Sequence, residues 1–358
     1  MKVTKLELKN YRNYENLNIF LNDGLNVIIG KNAQGKTNLL ESIFLCSIGK
    51  SIRTTKDRDL IKWGQEMAKI SLSFNKKQLN RKIDFFIFKN QSKAIKINGM
   101  LIHRIGELMG EFNSVYFSPD ELRLVKSSPD ERRRYMDISL SQFDKKYFYT
   151  LNKYNKILTQ RNKLLKTGGK NIPETVGIWN EGLSKCGSYI IIQRIKFIEK
   201  INSYIKKIHL YLTDDNENLE ISYSGLTGAD INLTEDQLIK SLEKNIEKDI
   251  SLGYTSTGPH RDDLKIISNN IDVRSFGSQG QQRTCALSLK LSEMEFFNEN
   301  FGTYPVLLLD DVLSELDKNR KEKLLKYISK FQTILTTTEF DFNIKHSQFI
   351  ITGGKIQK

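Results

Sequence analysis

Apolar residues occur at two different spacings at the start of the chain, one typical of strands and one typical of a helix. Alternating apolar residues predict β-strands over residues 3–9 and 17–21, and the continuous apolar run 25–29 predicts a buried strand. After a short glycine-containing loop, apolar residues at helical spacing from Leu39 to Phe44 predict a helix. This order predicts a strand, loop and helix unit near the N-terminus.

The pattern changes in the middle of the chain. Residues 68–102 hold short alternating segments with an Asn98-Gly99 turn, which is typical of a small antiparallel sheet. From residue 119 to 250, apolar residues recur at steps of three and four, which predicts long helices. Gly168-Gly169 and Pro173 are predicted to separate the first two of them.

Strand-like segments return after the helical block, at 264–267 and 307–309. The block therefore interrupts an α/β domain. We expect residues 1–118 and 251–358 to form the two parts of that domain, and 119–250 to form an inserted helical lobe. The length of 358 residues agrees with two lobes, since it exceeds what one core usually supports.

The composition indicates an anionic partner and argues against a membrane span. The chain has 56 Lys and Arg against 42 Asp and Glu, a formal net charge of +14 at pH 7. Apolar runs are much shorter than the ~18 residues that a spanning helix needs. The first ten residues lack the apolar stretch of a signal peptide, so we expect a cytoplasmic protein.

The cysteines argue against a disulfide framework and a zinc site. Cys46, Cys186 and Cys285 are far apart, and the four His are equally scattered. A metal is therefore expected to be a hard ion held by oxygen atoms.

A phosphate-binding loop follows the buried strand 25–29. Residues 30–37 match the pattern G-x-x-x-x-G-K-[ST], and the strand before them and the helix after them are the required context. Backbone N–H groups of such a loop surround phosphates, the Lys neutralises the β/γ oxygens, and the Thr hydroxyl coordinates Mg²⁺. The candidate ligands of ATP here are Gly30, Lys31, Asn32, Ala33, Gln34, Gly35, Lys36, Thr37 and Asn38.

A second strand supplies two acids far from the loop in sequence. The run 306–309 is apolar and ends in Asp310 and Asp311. In this class of ATPase a strand-end acid holds Mg²⁺, so Asp310 and Thr37 are the candidate metal ligands. Asp311 is the candidate to polarise the attacking water.

A third segment defines the subclass. Ser278, Gly280 and Gln281 open a predicted helix about thirty residues before Asp310, and a helix N-terminus is a surface that receives anions. The Ser-x-Gly-Gln string resembles the signature loop of ABC-type ATPases, and residues 310–317 resemble their metal strand and D-loop. In that class the signature loop caps the nucleotide of a second subunit, which implies a head-to-head dimer held by ATP.

Five longer strings, 5–14, 116–122, 128–134, 257–263 and 277–283, resemble the RecF family of bacterial recombination proteins, relatives of SMC ATPase heads. The resemblance covers nearly the whole chain. It implies a mixed α/β, ABC/SMC-like ATPase head, with a mixed sheet around the loop helix and an antiparallel β part. A mainly helical second lobe is inserted in this head. It also implies ATP-dependent dimerisation, DNA binding, and work with RecO and RecR in loading RecA at gaps.

The resemblance also implies roles for single residues. Lys36, Asp310, Asp311 and Ser278 would be the catalytic set, with Ser278 acting on the second subunit. Arg12 resembles the arginine of the SMC N-terminal loop that approaches the nucleotide. Two features of ABC-type ATPases are missing, because residues 116–120 hold no Q-loop Gln and 336–338 are three Thr where a switch His is common. The role of the 258–263 motif stays unassigned.

The positive charge is concentrated in one stretch of forty residues. Residues 131–170 hold 11 Lys and Arg and 3 Asp and Glu, a net charge of +8. Interleaved Tyr residues there either meet DNA or belong to the core. Nothing resembles a base-reading motif, so we expect binding to the DNA backbone with strong salt dependence. The candidate DNA ligands are Lys145, Lys146, Lys153, Lys156, Arg161, Lys163 and Lys166.

The sequence therefore leaves two candidate functions for the protein. The first is a slow, DNA-dependent ATPase switch whose heads close on ATP. The alternative is a structural DNA-binding adaptor with a vestigial nucleotide site, which the Asp at 311 and the missing switch His keep open. A transporter ATPase is disfavoured by the basic helical lobe, and a GTPase by the lack of an Asn-Lys-x-Asp string.

Overall fold

The structure is a computed structural model, and it describes residues 1–167, 175–226 and 230–357. It divides into two compact units. The first consists of Met1–Leu122, Lys207–Glu217 and Ser278–Lys358, and the second of Arg123–Lys206 and Asn218–Gly277. None of the helices in the described ranges has both the length and the apolar character of a membrane span.

The elements have the following bounds. The strands are β1 (Lys2–Tyr11), β2 (Tyr14–Phe20), β3 (Leu25–Ile29), β4 (Met67–Lys76), β5 (Leu79–Phe88), β6 (Ala94–Ile97), β7 (Met100–Ile102), β8 (Ser114–Phe117), β9 (Leu219–Ser224), β10 (Asp263–Ser268), β11 (Ile271–Asp272), β12 (Val306–Asp310), β13 (Thr333–Thr337), β14 (Ser347–Thr352) and β15 (Lys355–Gln357). The α-helices are α1 (Lys36–Ile48), α2 (Arg123–Lys126), α3 (Pro129–Phe143), α4 (Lys145–Thr167), α5 (Gly177–Leu212), α6 (Ile231–Lys244), α7 (Ile246–Leu252), α8 (Val273–Phe276), α9 (Gln279–Phe301) and α10 (Lys318–Ile328).

A mostly parallel sheet forms the centre of the first unit. Its strand order is β15-β14-β3-β13-β12-β8, and the pairs from β14 to β8 are parallel. Strands β8, β12 and β13 are buried along their whole length, as expected for a parallel sheet covered on both faces. The carboxyl ends of β3, β12, β13 and β8 lie at the same edge, which is where ligands bind in open α/β sheets.

An antiparallel sheet, in the order β2-β1-β4-β5-β6-β7, completes the strands of the first unit. Residues 68–102 were predicted to form such a sheet, and β1 and β2 extend it. Strand β1 alternates in the expected way, since Leu6 and Leu8 are buried whereas Glu7 and Lys9 lie on the other face. One face therefore belongs to the core and the other to the surface.

The second unit is built from long helices and a small sheet in the order β11-β10-β9. The two long helices predicted from periodicity are α4 and α5, and the last residues of α5, from Lys207, belong to the first unit. Gly168-Gly169 and Pro173, the predicted separators, lie outside the described residues.

The predicted end of the helical lobe at residue 250 is wrong. Residues 251–277 cluster with the second unit because β10 pairs antiparallel with β9 over six residues. This pairing joins segments that are about forty residues apart in sequence, so hydrophobic periodicity alone does not reveal it. The predicted boundary after residue 118 lies four residues from the observed one, after Leu122.

Candidate nucleotide site

The phosphate loop joins β3 to α1, as its sequence predicts. A Cβ on Gly30 would lie 2.6 Å from the carbonyl oxygen of Ile351, so no side chain fits there. Gly35 has φ +106°, in the left-handed region, and a Cβ on it would lie 2.4 Å from the Asn13 amide. Helix α1 starts at the next residue, Lys36. Both glycines are therefore required by the geometry of the turn.

The Lys36 ammonium lies across this loop. Its Nζ donates to the carbonyl oxygen of Gly30 at 2.5 Å and to that of Lys31 at 3.1 Å, which uses two of its three donors. Burial lowers the pKa of Lys36, while Asp311 and Asp310 oppose that shift. The side chain is only 7% exposed, so its charge acts where water screens it weakly.

Asp310 ends β12 and accepts hydrogen bonds from three hydroxyl groups. Its Oδ1 accepts from Thr37 Oγ1 at 3.1 Å and from Thr336 Oγ1 at 2.7 Å. Its Oδ2 accepts from Tyr116 at 3.0 Å. The two residues predicted as metal ligands, Thr37 and Asp310, are thus in direct contact although they are 273 positions apart. Hard oxygen donors of this kind suit Mg²⁺.

Asp311 lies beside the same group with a different environment. Its backbone has φ 52°, a left-handed conformation, and its N–H donates to the carbonyl oxygen of Thr336 at 3.1 Å. Burial raises the pKa of its carboxyl, the Lys36 charge opposes this, and Asp310 adds to it. Among the described residues its buried Oδ1 has no hydrogen-bond partner. An unpaired carboxylate oxygen next to a buried Lys fits a site that orients a water against a phosphate.

Tyr116 and Thr336 are site residues that sequence analysis did not assign. Tyr116 lies in the segment where an ABC-type ATPase would have its Q-loop Gln. Thr336 lies in the segment where such an ATPase commonly has its switch His. Strand register explains both contacts, because Tyr116 pairs with Leu308 and Thr336 pairs with Asp310 itself. Polar residues near the ends of adjacent parallel strands could have indicated these two site residues. The strand order must be known first, because it determines which strands are adjacent.

Arg12 was predicted to approach the nucleotide. In the structure its guanidinium group binds Glu41 of α1. Its Nε and NH2 groups donate to Glu41 at 3.0 and 2.9 Å, and a third donor binds the carbonyl oxygen of Asp59. Glu41 is fully buried and also accepts from Tyr11 and Ser51. Three of the five guanidinium donors are therefore used within the chain.

Asn13, the neighbour of Arg12, makes the direct contacts to the phosphate loop. Its Nδ2 donates to the carbonyl oxygen of Gln34 at 3.0 Å, and its Oδ1 accepts from Asn38 at 2.8 Å. Gln34 also accepts from the backbone N–H of Gly353 at 2.5 Å. The N-terminal turn therefore supports the loop from outside.

Ser278 is the N-cap of α9, as the signature pattern predicts. Its hydroxyl accepts from the Gln281 N–H at 3.2 Å, and its own N–H donates to Gln281 Oε1 at 2.9 Å. The Gln281 amide also donates to Glu217, so both ends of that amide are paired within the chain. Gly280 follows Ser278 in the first turn of α9, where backbone N–H groups point outward.

The predicted DNA ligands lie along α4, and one of them is wrong. Arg161 is fully buried and bonds the equally buried Asp249 at 2.8 Å, with Thr255 and Asn180 as further partners. It occupies the same helix face as Tyr147 and Tyr154, fourteen and seven residues earlier, which are core residues. The remaining six candidates are exposed: Lys145, Lys146, Lys153, Lys156, Lys163 and Lys166.

The 258–263 motif builds a polar network inside the second unit. His260 Nδ1 lies 2.6 Å from the Tyr154 hydroxyl, and its Nε2 lies 3.0 Å from the carbonyl oxygen of Thr255. Burial lowers the pKa of His260 to about 4, so the ring is neutral at pH 7 and donates to Thr255. Arg194 binds the carbonyl oxygen of Pro259 at 2.6 Å. The motif therefore holds α4 and α5 to the segment before β10.

Comparisons with known proteins decide the family. The family model for the RecF/RecN/SMC N terminal domain matches residues 2–352. The DNA replication and repair protein RecF of Clostridium novyi (strain NT) is 50% identical over 339 residues, which covers 94% of this chain and 93% of that protein. The chain belongs to the RecF family. The RecF of Clostridium tetani (strain Massachusetts / E88) is 46% identical over 361 residues, with 100% and 98% covered.

Solved structures agree with this assignment. A structure of the recombination mediator protein RecF with ATP, from the RecFOR pathway, matches with a TM-score of 0.91 at 38% identity and covers 99% of this chain and 97% of that one. An Smc head domain from Pyrococcus furiosus matches with a TM-score of 0.58 at 17% identity, which shows the shared fold. The predicted family and the predicted ABC/SMC-like head are therefore confirmed, and the chain is a member of an ATPase family of DNA replication and repair proteins.

Proposed function

We propose that the protein is an ATP-dependent switch in DNA repair, in which ATP binding closes two heads and slow, DNA-stimulated hydrolysis opens them. The observation that carries this proposal is the group formed by Lys36, Thr37, Asp310 and Asp311. A vestigial site has no reason to keep a buried Lys, a hydroxyl–carboxylate contact and an unpaired carboxylate oxygen together. The adaptor alternative is therefore disfavoured.

Each residue has a separate task in this proposal. The Lys36 ammonium exchanges its carbonyl partners for phosphate oxygens of ATP, and the loop N–H groups bind the same phosphates. Thr37 and Asp310 would hold Mg²⁺, which when bound neutralises the developing charge between the β- and γ-phosphates. Asp311 orients the attacking water through its Oδ1.

The site is completed by a second copy of the chain. In the ABC class, the signature helix of one subunit faces the γ-phosphate bound by the other. Ser278 keeps its hydroxyl hydrogen available, because the oxygen acts as acceptor in the helix cap. The N-terminus of α9 adds a favourable potential for that phosphate.

DNA binds through its backbone to the exposed lysines of α4. Six ammonium groups on one helix, with no acid in the sequence from Lys145 to Thr167, suit a row of phosphates. RecO and RecR are the proposed protein partners, because a close relative belongs to the RecFOR pathway. Loading of RecA at gaps or junctions in the cytoplasm is the proposed outcome.

Sedimentation velocity with ATP, with ADP and without nucleotide tests the switch. The Asp311→Asn variant, which slows hydrolysis, is expected to sediment as a dimer with ATP and as a monomer with ADP or no nucleotide. DNA is expected to co-sediment with the dimer. A protein that stays monomeric with ATP but still binds DNA would instead support the adaptor.

A further inference from the structure

The outer face of the antiparallel sheet carries a basic row that the site does not use. In the strand register, Asn16 of β2 pairs with Lys9 of β1, Lys9 pairs with Lys69 of β4, and Lys69 pairs with Phe86 of β5. Two lysines therefore lie directly opposite each other on neighbouring strands. Like charges in this position destabilise a sheet, so the arrangement calls for an anion.

The neighbouring rows of this face do not neutralise the pair. Glu7 binds Lys5 at 2.8 Å, and Asp84 lies 3.3 Å from Lys82 while it also accepts from Ser71. Glu7 is thus occupied by Lys5, and Asp84, which lies opposite Lys96 in the strand register, is occupied by Lys82 and Ser71. Within the described ranges, no ion pair includes Lys9, Lys69 or Lys96.

The ring of Phe86 lies close to the ammonium groups of Lys69 and Lys96. Lys69 Nζ lies 5.5 Å and Lys96 Nζ 5.6 Å from the centre of the Phe86 ring. The ring attracts both cations without cancelling their charge. An open groove of about 390 Å³ runs beside Lys9 and Lys69, and Glu7, Asn16 and Asn18 also line it.

We propose that this lysine face, defined by Lys9, Lys69 and Lys96 with the flanking Lys5 and Lys82, is a second contact surface for the DNA backbone, on the ATPase unit itself. The charge of the face selects a polyanion. Strands lie ~4.8 Å apart and residues four positions apart on a strand are separated by ~13 Å. Duplex DNA carries one charge per ~1.7 Å of its axis, so its phosphates are spaced closely enough to meet the ammonium groups of Lys9, Lys69 and Lys96, while Lys5 and Lys82 keep their acid partners.

The face has no feature that reads bases. Its polar side chains are ammonium groups, carboxylates and short polar groups on a sheet, and each of its two aromatic rings, Phe20 and Phe86, lies beside lysine ammonium groups. The inference rests on the proposed function, since it adds a surface to the DNA contact of α4. It predicts that binding is shared between the two units, and that each contributes its own part of the salt dependence.

The test compares two double variants that remove the same charge. Lys9→Gln/Lys69→Gln changes the lysine face, and the control Lys62→Gln/Lys89→Gln removes two lysines that have the acid partners Glu15 and Glu66. Affinity for a labelled duplex is measured by fluorescence anisotropy with ATP between 50 and 200 mM salt. The face variant is expected to bind the duplex at least ~5-fold more weakly. The magnitude of its slope of log affinity against log salt concentration is expected to fall by about two, since two phosphate contacts are lost.

Each outcome of this experiment either supports or overturns the inference. Equal salt slopes for the face variant and the wild-type protein overturn the inference, and so does an equal loss in the control, which would indicate a net-charge effect. A Lys153→Gln/Lys156→Gln variant run in parallel separates the two proposals. If that variant is weakened and the face variant is not, only this inference fails. If the wild-type protein does not bind duplex DNA with ATP, the proposed function fails as well.

Discussion

At the scale of single residues, Asp310 is the centre of the candidate site. Three hydroxyl groups from α1, β8 and β13 donate to its two oxygens. Hydrogen bonds that donate to a carboxylate fix its orientation. Tyr116 is buried, and its burial together with the nearby Asp310 raises the pKa of its hydroxyl. Tyr116 therefore stays a donor at any physiological pH.

A Tyr116→Phe variant is expected to lower kcat for ATP hydrolysis by about tenfold while it leaves nucleotide affinity nearly unchanged. The reason is that the variant removes a bond to a charged group worth ~1.5–3 kcal/mol and frees the carboxylate to rotate. Steady-state hydrolysis and binding of a fluorescent ATP analogue measure the two effects.

Tyr149→Phe is the matched control, because Tyr149 is 42% exposed on α4, in the other unit. Its hydrolysis is expected to equal that of the wild-type protein. If Tyr116→Phe also hydrolyses ATP at the wild-type rate, the Tyr116 hydroxyl has no role in positioning Asp310.

The sequence identified the candidate residues that the structure brings together, but not the residues that support them. Lys36 and Thr37 are fixed by their place after Gly35 at the start of a helix, and Asp310 by its place at the end of an apolar strand. Tyr116 and Thr336 bind Asp310 only because β8 and β13 flank β12. That order is a property of long-range pairing, which local patterns do not contain.

At the scale of elements, α4 is a helix with two different faces. Tyr147, Tyr154 and Arg161 repeat every seven residues and lie in the core, whereas the lysines between them are exposed. The same periodicity that predicted the helix also assigns Arg161 to the buried face. The heptad spacing in the sequence therefore indicates the buried face for Arg161, whereas its charge alone suggests a DNA contact.

Arg161→Ala and Lys163→Ala are expected to have opposite effects. Arg161→Ala leaves Asp249 buried without its partner, which costs ~3–5 kcal/mol of unfolding free energy, with little change in DNA affinity per folded molecule. Lys163→Ala is expected to keep its stability and to weaken DNA binding in a salt-dependent way. Urea unfolding and anisotropy measure the two quantities.

The contrary pattern would reverse the assignment of the two faces. That pattern is a stable Arg161→Ala variant with weak DNA binding, together with a Lys163→Ala variant that binds DNA normally. It would show that the buried ion pair is not maintained in solution.

Elements whose partners are close in sequence were predicted well, and distant ones were not. Strand β3, the loop and α1 follow each other directly, and β5 and β6 are joined through a short connection. Strand β10 was assigned to the wrong unit because its partner β9 lies before α6 and α7. Apolar alternation identifies a strand but does not identify the sheet that contains it.

At the scale of the whole molecule, the chain carries candidates for both halves of an ATP site, the phosphate loop with its acids and the signature helix. In the proposed symmetric dimer, each site would take its Lys36 from one copy and its Ser278 from the other. Two variants that are each inactive then restore one another when they are mixed. A site built within a single chain does not allow such restoration.

The most direct test is ATP hydrolysis by an equal mixture of Lys36→Arg and Ser278→Asp. The second substitution keeps a good N-cap for α9 and repels the γ-phosphate, so both parents are expected to be inactive. Random pairing puts one intact site in half of the dimers, which predicts about one quarter of the wild-type rate. A mixture that hydrolyses ATP no faster than its parents, while it still forms mixed dimers, would contradict the account.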